Sequence, residues 1–80
     1  MTIQQFVTIM IQRYFAPQDY TFTVADNQID IFERYVTDTT KALRDFVEME
    51  AEALTYEHPE CEYETFQLDG FEVSWYYALI

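Results

Sequence analysis

The sequence predicts a small α+β protein, one domain over residues 1–80 in the order α-β-β-α-β-β. Two helices should cover one face of a four-stranded antiparallel sheet. Three observations carry that expectation. Apolar residues recur at helical spacing after Thr2 and again after Thr37. Apolar and polar residues alternate on both sides of Asp26-Asn27 and of Asp69-Gly70. The chain has only 80 residues, half of them apolar and 19% aromatic, which suits one core and rules out a disordered acidic tail.

Thr2-Ile3-Gln4-Gln5 reads as a capping box, with Gln5 reaching back to the N-cap. Ile3, Phe6, Val7, Met10, Ile11 and Tyr14 then form one apolar stripe, and Pro17 stops the helix near Phe15. Tyr20, Phe22 and Val24 alternate with threonines as in a half-buried strand. A tight turn at Asp26-Asn27 would pair Val24 with Ile29 and Phe22 with Ile31 on one face. A rival reading starts a long helix at Asp26, because Ile29, Phe32 and Val36 also fit helical spacing.

Thr37 or Asp38 should cap the second helix, which is expected to run to about Tyr56, before His58-Pro59. Leu43, Phe46, Val47, Ala53 and Leu54 make its apolar face, with Glu50 oddly placed among them. It either emerges at the rim or meets Arg13 or Arg34. Asp69-Gly70 is the strongest turn signal in the chain. A two-residue loop there pairs Leu68 with Phe71, Phe66 with Val73 and Glu64 with Trp75, a mostly apolar face for the helices. The other face then carries Gln67 with Glu72, Thr65 with Ser74 and Tyr63 with Tyr76.

Charge is distributed very unevenly. The first 44 residues hold five acids against four bases, leaving −1, and from Asp45 onward ten acids stand with no base, leaving −10; the sum is the formal −11. Like charge so concentrated disfavours a compact state, so it reads as a working surface. Asp45, Glu48 and Glu52 recur at helical steps, and Glu57, Glu60, Glu62 and Glu64 continue the series, with Glu72 on the polar strand face. Helical neighbours of this kind lie roughly 5–6 Å apart and alternate strand residues roughly 6.5–7 Å apart. Phosphates along one DNA strand recur about every 3.4 Å of rise. Such a row could occupy a basic groove in place of nucleic acid, whereas a solvated or haloadapted acidic face would show the same counts. Tyr63 and Tyr76 would add rigid contact area beside it. The expected partner is a basic nucleic-acid-binding protein or nuclease complex, bound by a monomer or a homodimer.

Other chemistry has little support. His58-x-x-Cys61 lacks the further ligands zinc needs, and no calcium-loop spacing is present. Cys61 and His58 have no evident third group or oxyanion donor, so no catalytic residue, metal or cofactor is expected. A single cysteine excludes an internal disulfide and suits a reducing cytoplasm. No cationic segment precedes an apolar run, so no secretion signal is expected, and no stretch has the roughly 20 apolar residues that span a bilayer. Direct contact with nucleic acid or an anionic membrane is disfavoured by charge.

The chain resembles small acidic phage-type anti-defence proteins, including anti-CRISPR proteins and DNA mimics. The resemblance rests on length, the lysine-poor acidic segment Asp45–Glu72, the abundance of aromatics and the absence of a catalytic motif. It covers the composition of the whole chain and no sequence motif, so no functional residue is carried over from it. It implies a stoichiometric, non-enzymatic inhibitor that blocks access to nucleic acid in the host cytoplasm. An acidic immunity protein or antitoxin of a nuclease would act the same way on another partner. A structural module forming a homo-oligomer is the alternative of a different class.

Overall fold

The computed structural model describes residues 1–51, 55–58 and 63–78, with the backbone alone for 55–58. Helix α1 (Ile3–Tyr14) begins at the expected capping box: the Thr2 hydroxyl accepts the Gln5 N–H at 3.2 Å, and Gln5 Oε1 accepts the Thr2 N–H at 2.9 Å. Phe15 is already extended, and Pro17 follows. Phe6 and Met10 are fully buried, with Ile3, Val7 and Tyr14 packed at the margin. Ile11 departs from the expected stripe and is 48% exposed. At about 100° per residue it falls beyond the face centred on Phe6 and Met10. Ile9, at the opposite margin, packs on the core instead.

Strands β1 (Tyr20–Ala25) and β2 (Gln28–Glu33) form the anticipated hairpin, with Val24 opposite Ile29 and Phe22 opposite Ile31. The long helix from Asp26 does not form. Asp26 instead turns the chain with φ +53°, a left-handed value that aspartate tolerates, and this buries Ile29 and Ile31 completely.

Helix α2 (Asp38–Glu50) is capped by Thr37, whose hydroxyl accepts the Thr40 N–H at 3.3 Å and donates to Asp19 Oδ2 at 3.1 Å. The cap thus ties the helix start to the turn before β1. The helix ends at Glu50, short of Tyr56. Its last turn lacks a base and holds Glu48 and Glu50, which oppose the negative end of the helix dipole. Thr55–His58 forms a strand, β3, in place of the final helical turns. Ala53 and Leu54 lie outside the described residues. Glu50 emerges exposed at the rim.

Strands β4 (Tyr63–Leu68) and β5 (Phe71–Tyr76) make the Asp69-Gly70 hairpin in the predicted register, with Gly70 at φ +88°. The α+β class and the two helices hold, and the sheet differs in two respects. Among the described residues it has five strands, in the order β1-β2-β5-β4-β3, and it is mixed, because β2 and β5 pair in parallel. Phe71, Val73 and Trp75 are all buried, and a strand so apolar on one face takes the centre of the sheet. The two hairpins join there. Both helices cover that face: Phe6 stacks on Phe46 at 5.5 Å and meets Phe71 edge-on at 5.6 Å, while Tyr14 stacks on Phe46 at 5.7 Å.

Candidate partner-binding surface

The outer side of α2 carries Asp45 and Glu48, both exposed. Glu48 meets Arg44 Nε at 3.2 Å, one helical turn back. Glu52, Glu60 and Glu62 lie outside the described residues, and Glu57 is described by its backbone alone. The fold nevertheless interrupts the row anticipated from the sequence. Glu64 and Glu72 sit on opposite faces of the sheet, as alternation around the Asp69-Gly70 turn requires.

Glu64 points under α2 and is only 7% exposed. Arg44 Nη2 donates to Glu64 Oε1 and to the Tyr77 hydroxyl at 2.9 Å, and that hydroxyl donates in turn to Glu64 Oε1. The guanidinium lies 4.8 Å from the centre of the Tyr77 ring and 5.7 Å from that of Phe66. Arg44 Nη1 and Trp75 Nε1 are buried without a partner among the described residues. This is an internal charged knot, not part of a docking surface. Arg44 thereby links inside and outside, holding Glu64 and Tyr77 beneath α2 while its Nε pairs with the exposed Glu48.

The open face of the sheet holds the second group of candidates. Glu72 is half-buried there and accepts a hydrogen bond from Gln67 Nε2. Tyr63 and Tyr76 stack at 5.0 Å as paired neighbours on β4 and β5. Phe32, which sequence reasoning did not single out, extends the stack by packing on Tyr76 at 4.8 Å with an interplanar angle of 12°. The parallel β2–β5 pairing puts it there. The only sequence signal was its place opposite Ile29 and Ile31 in the alternation of β2. Tyr76 is thus stacked between two rings, Phe32 and Tyr63, which occupy its faces. Cation–π capture on the faces of Tyr76 is therefore disfavoured.

Cys61, weighed with His58 for metal or thiol chemistry, lies outside the described residues, and His58 is described by its backbone alone. Among the described residues no group of three or more His, Cys, Asp or Glu is placed to hold a metal. No helix among them is long and apolar enough to cross a membrane. Burial raises the Tyr20 hydroxyl above its usual 10.0, and that hydroxyl donates to the Tyr14 carbonyl, securing β1 to the end of α1. The chain matches no protein-family model, no curated protein and no solved structure.

Proposed function

We propose that the protein is a stoichiometric, non-enzymatic inhibitor that presents its acidic half to a basic nucleic-acid-binding protein and excludes the nucleic acid. One observation carries the reading: from Asp45 onward ten carboxylates stand with no lysine or arginine. Arg44, the last base before that run, supports it: held by Glu64, Tyr77 and Glu48, its side chain is only 23% exposed. Asp45 and Glu48 on the outer side of α2 begin the contact surface, and Glu72 with the Tyr63–Tyr76 stack forms a separate one on the open sheet face. Glu64 serves the fold. The site of action under this reading is the cytoplasm, and the anti-defence proteins of phages, anti-CRISPR proteins among them, are the class it fits.

The test is affinity capture at low salt, using the chain and a variant with Asp45→Lys and Glu48→Lys. Asp45→Lys is an exposed change worth no more than about 0.5 kcal/mol, and Glu48→Lys also loses an i,i+4 pair with Arg44 worth about 0.3–0.5 kcal/mol. Circular dichroism should therefore be unchanged while capture of nucleic-acid-binding proteins falls sharply. Equal capture by both proteins would remove α2 from the interface.

A further inference from the structure

We infer that β1 is a self-complementary edge, and that two copies of this chain join their sheets through it. The backbone geometry decides which groups are available. Glu72 N–H donates to the Asn27 carbonyl at 2.8 Å, so in β2 the odd-numbered residues face β5 and the even-numbered ones face β1. Thr21, Thr23 and Ala25 are the partners of those even residues, and their backbone groups are used inside the sheet. Phe22 and Val24 therefore aim both N–H and C=O outward, at the sheet margin. Tyr20 aims the same way, but its N–H is taken by the Ala16 carbonyl at 3.2 Å.

An antiparallel twofold centred on Thr23 uses these groups completely. It sets Phe22 opposite Val24 of the second copy, and Val24 opposite its Phe22, each pair exchanging both backbone bonds. A twofold centred on Phe22 would need the occupied Tyr20 N–H. Strand β1, Tyr-Thr-Phe-Thr-Val-Ala, has no charge, proline or glycine to discourage edge pairing, although the chain carries −11 overall.

The side chains fit the same register. Val24 is 46% exposed. Next to Phe22, on the helix-covered side, lies a cavity of about 210 Å³ lined by Phe15, Ala16, Pro17, Tyr20, Thr21 and Phe22. Pairing over Thr23 brings Val24 of the second copy to that cavity. It also brings Asp26 of the second copy opposite Tyr20, at the strand end where Arg34 donates to the Pro17 carbonyl at 3.0 Å. Apolar surface meets apolar surface at that cavity. The inference is independent of the acidic surface, because Asp45, Glu48, Tyr63 and Tyr76 all lie off this edge.

Sedimentation equilibrium and cysteine cross-linking test it. The wild-type chain should show a concentration-dependent dimer. Val24→Lys places a charge against the cavity and should weaken that dimer by at least about tenfold, as loss of a central contact does, with an unchanged circular dichroism spectrum. In a Cys61→Ser background, Thr23→Cys faces its own copy across the axis at a Cα separation of about 4.5 Å, within reach of a disulfide. It should oxidise to a covalent dimer, whereas Thr21→Cys, opposite Ala25, should not. A wild-type chain that stays monomeric at the highest soluble concentration would overturn the inference. So would a dimer that survives Val24→Lys, or equal cross-linking at both cysteine positions.

Discussion

Glu64→Ala separates a structural acid from a docking acid. In the folded protein Glu64 accepts from Arg44 and Tyr77 beneath α2. Its removal leaves the guanidinium of Arg44, whose side chain is only 23% exposed, without its inner partner. Breaking a buried pair from one side costs about 3–5 kcal/mol. The remaining Glu48 contact at 3.2 Å and the two aromatic rings under Arg44 place the cost near the lower figure. An 80-residue domain has roughly 4–12 kcal/mol in total, at about 0.05–0.15 kcal/mol per residue. A loss of about 3 kcal/mol should lower the melting temperature by roughly 12–24 °C. Arg44→Met combined with Glu64→Leu should recover most of that, because an apolar pair of similar volume avoids burying charge. Thermal melting by circular dichroism reads both. If Glu64→Ala melts within about 2 °C of wild type yet loses partner binding, Glu64 is at an interface and the buried assignment fails.

Other expectations follow from single residues. Burial raises the Tyr20 hydroxyl above 10.0, so its contribution is fully present below pH 10.0. The unfolded chain releases that proton first, and stability is therefore lost as pH rises from 10.0 through the higher folded value. Tyr20→Phe should flatten that alkaline slope in melts recorded against pH. Gly70 has φ +88° with nothing within 4 Å of an added Cβ, so Gly70→Ala should cost about 1–2 kcal/mol from backbone strain alone. Denaturant titration checks this, and an unchanged midpoint would contradict it. Phe32→Ala should cost about 0.5–1.5 kcal/mol through the lost stack on Tyr76; a neutral result would mean that the stack contributes nothing. The chain should not shift free duplex DNA in a gel at low salt, since both carry negative charge.

Local signals in the sequence were legible where they were self-sufficient. The Thr2 and Thr37 caps, the Asp26-Asn27 and Asp69-Gly70 turns and the register of both hairpins follow from residues within a few positions of one another. The position of α2's end did not, because Ala51 onward reads equally well as helix, and pairing with β4 decided the matter. Parallel pairing of β2 with β5 is a contact over more than 40 positions, and nothing near Phe32 announces the ring it stacks on. For the candidate surface, Asp45 and Glu48 were legible as exposed acids on α2. Glu64 was already assigned to the helix-covered face by its pairing with Trp75, and that assignment, carried through, removes it from the acidic row. Ion-pair formation with Arg44 was the missing reason for an acid at such a position.

Competition for one binding site tests the proposed function most directly. A partner obtained by capture is loaded with labelled duplex, and the chain is titrated in while release of the duplex is followed by fluorescence anisotropy. Release should be complete at a fixed molar ratio, weaken as salt rises, and fail with Asp45→Lys and Glu48→Lys together. A ternary complex that keeps the duplex bound, or release at a small fraction of an equivalent, would contradict exclusion by an acidic surface.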